Sequence, residues 1–299
     1  MLMRCLDSLV LQDGLPEGWR FEICVIENDA EPHSRAAVEA VAARSSVPIH
    51  YVQEPRRGIP FARNRTIAVS LARGYQWMAL IDDDEQAPPE WLATLVMAAL
   101  AHRADVASGP VRRRYASELP DWWVPLKVPT EPTGHELDEA PTNNTLMSIR
   151  LASREGMALR FEEALTFGYE DIDFFRRAHA LGAKIIWVAE AFVEEEIPAT
   201  RISPWRLLKR VEMQAAGLAF AAGLRKGKLD AWARFGIKGV RRIVSGLLLM
   251  AVALLVYPLH KRRGTRLFFS ALARIMKGYG HLRGLLYFPP AYYATIDGS

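Results

Sequence analysis

The stretch Trp77-Met78-Ala79-Leu80-Ile81-Asp82-Asp83-Asp84-Glu85 decides how this chain is read. Its first five residues are apolar and unbroken, which predicts a buried strand, and four carboxylates follow at the carboxyl end of that strand. Carboxylates gathered in one place repel one another unless a cation or protons intervene. Hard cations such as Mg2+ or Mn2+ take oxygen ligands, often one or two carboxylates together with substrate phosphates. The tetrad also reads as a solvated acidic turn, or as the acidic start of the helix that Pro88 and Pro89 open.

Working outward, residues 21–26 are a short apolar run that predicts a strand and residues 49–53 predict another, while residues 2–11, 34–44 and 59–73 predict helices, the last stopped by Gly74. Downstream, a helix reaches about His102, strands follow at 106–111, 145–149 and 183–188, and a helix covers 169–181. Such βαβα alternation predicts an α/β fold with a mostly parallel sheet and helices on both faces. Ligands of such sheets bind outside the carboxyl ends of the strands, where the acidic tetrad falls. Residues 112–141 are rich in prolines and acids and predict a long mobile loop. Within it Trp122 and Trp123 read either as a stacking platform or as a hydrophobic clasp for the loop.

Three more polar stretches suit chemistry. Glu27-Asn28-Asp29 follows a strand and offers hydrogen bonds to a base or ribose, though an ordinary Asn/Asp turn has the same composition. In Gly58-Ile59-Pro60-Phe61-Ala62-Arg63-Asn64, Arg63 is placed on the first turn of a helix, where a guanidinium and helix N–H groups suit a phosphate; a surface arginine is the plain alternative. Gly168-Tyr169-Glu170-Asp171 opens a helix, so its acids suit either the helix dipole or a general base.

The 299 residues suit one large α/β domain or a domain with an appendage. Cys5 and Cys24 are the only cysteines, too few and too badly spaced for a disulfide framework or a zinc site. No secretory leader is expected. The net charge of +4 hides an asymmetry: residues 201–299 carry 18 Lys and Arg against 3 Asp and Glu, or +15, and residues 1–200 carry 20 against 31, or −11. The division predicts an acidic body at 1–200 and a basic helical region at 201–299, with two different partners. The basic region suits an anionic membrane face. Nucleic acid is set aside as a partner, because no known reader motif occurs. Residues 243–259 form an uncharged apolar run near the lower limit of a membrane span. Basic residues flank it at Arg241, Arg242, Lys261, Arg262 and Arg263, which disfavours a simple single span. The expectation is a peripheral or re-entrant helix, or a hairpin with residues 267–288; a buried helix of a soluble core is the alternative.

Taken in order, VIEND, RRGIPFARN, ALIDDDE, TNNTLMS and FGYEDIDFFRRAHALGAKI resemble the family 2 glycosyltransferases, across roughly residues 2–193. The resemblance implies the GT-A fold, a nucleotide-sugar donor, a divalent metal (Mg2+ or Mn2+) and a glycan or glycolipid acceptor. It is closest to the branch that builds bacterial exopolysaccharides, at the cytoplasmic face of the inner membrane. It assigns Glu27, Asn28, Asp29, Arg63, Asp82 and Asp83 to the donor, Asp84 to the metal and Asn143, Asn144 and Thr145 to the acceptor side. Asp171 is the implied base, with Glu170 beside it, and the implied stereochemistry is inversion. Two departures stand out. The family opens with a strand before its first helix, whereas this chain starts at Met1-Leu2-Met3-Arg4-Cys5-Leu6, inside that helix, so a first strand is expected to be missing. Many relatives carry a metal-assisting His where this chain has Glu194-Glu195-Glu196. Either the true start is expected upstream, or the chain is a catalytically impaired binding partner in a polysaccharide assembly complex. A nucleotidyltransferase would need a Gly-rich phosphate loop near the N-terminus, and none is visible.

Overall fold

The computed structural model describes residues 1–123 and 128–286. The chain divides into two compact units. One takes Met1–Arg114, Lys127–Glu163 and Glu170–Glu196, and the other Tyr115–Leu126, Ala164–Tyr169 and Ile197–Ser299.

The first unit is α/β. In chain order it runs α1 (Leu2–Leu9), β1 (Ile23–Glu27), α2 (Arg35–Ala42), β2 (Ile49–Gln53), α3 (Ile59–Ala72), β3 (Trp77–Ile81), β4 (Glu85–Gln86) and α4 (Trp91–His102). β5 (Val106–Ser108), β6 (Val111–Tyr115), β7 (Glu136–Leu137), β8 (Asn144–Ser148), α5 (Glu170–Ala180), β9 (Ile185–Trp187) and β10 (Val193–Ile197) follow. α3 is delimited by glycines: Gly58 precedes it at φ +134° and Gly74 follows it at φ +71°, backbone regions that side chains with a Cβ rarely enter.

β1 and β2 pair in parallel, from Ile23 opposite Ile49 to Glu27 opposite Gln53. A five-stranded sheet has the order β3-β8-β5-β9-β7, and a three-stranded sheet the order β4-β10-β6. Among the described residues β1 pairs only with β2, and β3 only with β8, so each keeps one edge without a strand partner. The expectation of a mostly parallel sheet needs correction, because the sheets are mixed. β5 and β9 are parallel, but β8 runs antiparallel to both β3 and β5, β7 antiparallel to β9, and β10 antiparallel to β4. An apolar run fixes how deeply a strand is buried and leaves its direction open; β8 is reached without a crossover helix among the described residues, which frees it to enter antiparallel.

The expected loop at 112–141 also holds structure, since β6 runs on to Tyr115 and β7 pairs at 136–137. β10, with the sequence VEEEI, was not expected at all. Its glutamates pair with arginines, Glu195 with Arg113 at 2.9 Å and Glu194 with Arg114 at 2.6 Å. Its neighbour Glu196 pairs with Arg4 at 2.8 Å. Two cores sandwich the five-stranded sheet. Ile67, Phe161, Phe174 and Phe175 lie in one, and Trp91, Leu95, Ile186 and Val188 in the other.

The second unit is helical: α6 (Pro204–Lys226), α7 (Lys228–Ala231), α8 (Ile237–Val256) and α9 (Lys261–Leu285), with a wide turn of helix at Trp232–Gly236 joining α7 to α8. The apolar run expected at 243–259 is the body of α8, and α9 is its hairpin partner, residues 287 and 288 of the expected partner lying outside the described residues. Small residues recur every seventh position on both helices. Gly239, Gly246 and Ala253 are buried on α8, and Gly264, Ala271 and Gly278 on α9. A seven-residue repeat keeps one stripe facing a partner. Here the stripes meet antiparallel: a Cβ on Gly278 would lie 2.6 Å from the Gly239 carbonyl oxygen, and one on Gly246 3.0 Å from that of Ala271. The opposite side of α9 fits α6 in the same way, with Gly280 against the Glu212 backbone and Gly284 against that of Ala216. Trp122 joins this unit's packing, 5.2 Å from the Phe269 ring on α9 and 5.8 Å from Trp123, which in turn meets Tyr115.

Candidate functional site

The acidic tetrad turns away from β3 and folds back on itself. The Asp82 backbone N–H donates to Glu85 Oε2 at 3.2 Å, and the Glu85 N–H donates to the Asp82 carbonyl at 3.2 Å. Glu85 begins β4 and is 1 % exposed. Burial, with Asp82 nearby, pushes its carboxyl up to about 9, so a buried neutral acid lies beneath the cluster. Asp82 keeps contact with solvent, yet the protein packed around it lifts its carboxyl to about 6. The Arg63 guanidinium opposes that rise, while Asp84, Asp83 and Glu195 add to it. Cys5 of α1 packs below, its thiol 3.6 Å from the Asp82 carbonyl and pushed up to about 12 by burial and then by the four acids.

Arg63 connects this cluster to α5. Its Nη1 donates to Glu170 Oε1, and its guanidinium lies 5.7 Å from the centre of the Phe161 ring. Phe161 is itself fixed by Asn64, whose Nδ2 donates to the Phe161 carbonyl at 3.0 Å and whose Oδ1 accepts from the Phe161 N–H at 2.9 Å. Arg63 is the fifth residue of α3, so it stands past the first turn where the sequence had put it. Glu170 is 2 % exposed, and its second oxygen has no partner. Burial raises its pKa against the pull of Arg63. Asp171, next in line, is half-buried; its Oδ1 accepts the Ile172 N–H at 2.7 Å. Gly168 and Tyr169 enter α5 at φ +109° and +79°. A positive φ on a tyrosine is strained and is held by its surroundings, here the cluster of Leu165, Phe167, Ala216 and Phe220.

The three residues expected on the acceptor side divide. Asn143 Nδ2 donates to Glu85 Oε1 at 3.1 Å, and its buried Oδ1 has no partner. Asn144 is 0 % exposed and fully engaged: Trp91 Nε1 donates to its Oδ1 at 2.8 Å, and its Nδ2 donates to the carbonyls of Pro110 and Ala191. Thr145 is equally sealed, donating to the Pro141 carbonyl at 2.6 Å and bonded to the Ser108 hydroxyl at 2.8 Å. Asn143 alone therefore joins the acidic cluster, and the other two hold the sheet together.

Glu27, Asn28 and Asp29 form a second group at the end of β1. Glu27 accepts the Ser34 N–H and hydroxyl and the Tyr51 hydroxyl; burial raises its pKa, but these bonds outweigh it and hold the carboxyl below its usual range. Asn28 donates to the carbonyls of Glu54 and Arg56 and accepts the Gly58 N–H at 2.8 Å. That bond ties the group to the start of α3. Asp29 pairs with Arg57 at 3.1 Å, which holds its carboxyl low. Arg57, Asn64, Glu85 and Cys5 carried no assigned role in the sequence reading.

The donor set fits a hard divalent cation. Glu85 is held above the usual carboxylate range by burial and by Asp82, and Asp82 by the protein packed around it and by Asp84 and Asp83, a strain that a positive charge relieves. Among the described residues no three His, Cys, Asp or Glu side chains gather closely enough to hold a cation alone, so phosphate or water oxygens would complete its shell.

Comparison with known proteins gives a consistent picture. Residues 1–162 match the model of glycosyl transferase family 2. The succinoglycan biosynthesis protein ExoM of Rhizobium meliloti (strain 1021) is 33% identical over 260 residues, covering 84% of this chain and 79% of ExoM. Among solved structures, residues 1–349 of S. aureus TarS in complex with UDP align with a TM-score of 0.50 and 15% identity, over 93% of this chain and 85% of that one. GalNAc-T7, solved with UDP, GalNAc and Mn2+, aligns with a TM-score of 0.50 and 15% identity, over 75% of this chain and 47% of its own. The two structures bear on the fold alone, which is GT-A-like.

Proposed function

Since this chain belongs to glycosyl transferase family 2 and is a glycosyltransferase, we propose that it moves a sugar, with inversion, from a UDP-linked donor to a hydroxyl of a lipid-linked or polysaccharide acceptor in exopolysaccharide biosynthesis. One observation carries this reading: Arg63 pairs with Glu170 while its charge bears on Asp82, so the acidic end of β3 and the start of α5 converge on a single guanidinium. Support for the donor class comes from TarS and GalNAc-T7, both solved with UDP.

In this reading Asp82 and Asp83 receive the donor, with Arg63 fixing the nucleotide and the Glu27–Asn28–Asp29 group lying near the base. The hydrogen bonds of Glu27 and Asn28 limit them to shaping that pocket through backbone and packing. Asp84 would hold Mg2+ or Mn2+, which supplies charge neutralisation for the leaving diphosphate. Asp171 takes the proton of the acceptor hydroxyl as its oxygen attacks the anomeric carbon. The bond from that carbon to the diphosphate oxygen breaks on the opposite face, which inverts the centre. Glu170, buried and held by Arg63, positions its neighbour. Asn143, with a spare buried oxygen, faces the acceptor side.

Membrane association belongs to the same reading. The helix at Lys228–Val256 is long and apolar enough to cross a membrane by length and composition, and only 17% of its apolar window is buried. Leu248 and Leu255 on α8 are 67% and 74% exposed. Peripheral or re-entrant seating at the cytoplasmic face of the inner membrane satisfies the basic flanks at both ends.

Calorimetric titration of the full chain with UDP, with and without Mn2+, tests the donor and metal assignments together. Manganese-dependent binding that Asp84→Asn abolishes is the expected result. Absence of UDP binding under both conditions, or an Asp84→Asn variant that still binds with manganese dependence, overturns them.

A further inference from the structure

The crossing of α8 and α9 carries a cluster of cations that nothing in the transfer reaction uses. Lys238 and Arg242 stand one turn apart on α8 and bracket Gly239; Lys277 and His281 stand one turn apart on α9 and bracket Gly278. Gly239 and Gly278 are one point where the two backbones touch, so four basic side chains ring that contact. Among the described residues none of the four is paired with a carboxylate. Glu212, on α6, is committed to Lys209 and Arg283. Arg242 is half-buried with its Nη1 buried and unpartnered, and both ring nitrogens of His281 are buried without a partner.

Like charges assembled at a helix contact without a counter-charge cost free energy, and an anion removes that cost. Burial first, and then the charges of Arg242 and Lys238, hold the Lys277 ammonium below its usual range. Beyond the cluster, toward its C-terminal end, α8 presents exposed apolar side chains at Leu248, Val252 and Leu255. Cations at one end of an uncovered apolar helix face match a ligand with a phosphate head and a hydrocarbon tail.

We propose that the α8–α9 crossing is a binding site for the phosphate headgroup of a membrane lipid, held by Lys238, Arg242 and Lys277 with its chains along the apolar face of α8. The proposal rests on the membrane reading above and sharpens it, from general attraction to a defined headgroup site.

Flotation of the full chain with vesicles tests it, using phosphatidylcholine alone or mixed with phosphatidylglycerol. The wild-type chain should float with both and more strongly with the anionic vesicles. The variant Lys238→Gln/Arg242→Gln/Lys277→Gln should lose the anionic preference by about tenfold or more, while Lys226→Gln/Arg234→Gln/Arg263→Gln, with the same net charge, keeps most of it. Lys277→Gln alone, at an exposed side chain, should lose part of the preference and serves if the triple variant does not fold. Equal losses in the two triple variants would show diffuse attraction and overturn the site while leaving the membrane reading intact. A wild-type chain that floats with neither vesicle overturns the membrane reading and the site with it. Inorganic phosphate that displaces the chain from anionic vesicles at equal phosphate concentration would overturn the choice of a lipid as the source.

Discussion

Arg63 and Glu170 form a buried ion pair between α3 and α5, with side chains 15% and 3% exposed. Removing one member of such a pair leaves the other charged and unsatisfied in the interior. Arg63→Ala is therefore expected to destabilise the fold by about 3 kcal/mol, read from urea unfolding. Arg63→Met/Glu170→Met should recover much of that loss, since the double change leaves no lone charge. A single variant as stable as wild type would show that the pair has no structural weight.

Asp171→Asn is expected to lower the transfer rate by about 10²- to 10⁴-fold and to leave UDP binding unchanged. Glu170→Gln removes the partner of Arg63, so it should weaken both donor binding and stability. Full transfer by Asp171→Asn would remove that residue from the role of base.

Gly217 of α6 leaves room for Tyr169: a Cβ there would sit 2.5 Å from the tyrosine Cβ and 3.0 Å from the Gly168 carbonyl oxygen. Gly217→Ala should cost about 1–3 kcal/mol in thermal or urea unfolding through overpacking. It should also reduce transfer more than its stability cost explains, because Tyr169 leads directly into Glu170 and Asp171. An alanine variant with wild-type stability and rate would refute the tight fit.

His281 gives a pH dependence with a definite sign. Burial first, then Arg242, Lys238 and Lys277, hold its pKa at about 4, against 6.5 for a free imidazole. Between those values the unfolded chain binds a proton that the folded chain refuses. The contribution of His281 to stability is therefore full above about pH 6.5 and is lost as pH falls toward 4. His281→Leu, which removes two unpartnered nitrogens, should flatten unfolding stability across that window and leave it unchanged or raised at neutral pH. An unaltered slope would assign the acid sensitivity elsewhere.

The sequence revealed the elements with a local strand or helix pattern. β2 and β3 lie at 49–53 and 77–81, where strands are predicted, and Gly74 ends α3 as expected. β10 stayed hidden because its stability comes from pairing and from Arg113 and Arg114 on another strand, leaving VEEEI without an apolar alternation to read. The direction of β8 was equally invisible, since direction depends on the route of the chain and not on composition. At the candidate site, the positions of Asp82 and Glu170 were legible from a strand end and a helix start, whereas Arg63 stands past the first turn of α3. The duties of Asn144 and Thr145 were not, because their partners, Trp91, Ser108 and Ala191, come from elements far away in the chain. The seven-residue spacing of small residues in α8 and α9 is plain once both helices are aligned, but glycines in an apolar run first suggest breaks.

The glycine seam of α8 and α9 has a bearing on how the hairpin behaves at an interface. Packing that depends on the expulsion of water weakens once a helix is surrounded by hydrocarbon, since there is no water left to expel. Contact between backbones, as at Gly239 and Gly278, draws on dispersion and close fit, which operate in water and lipid alike. The two helices can thus pass from one solvent to the other as a single preassembled wedge.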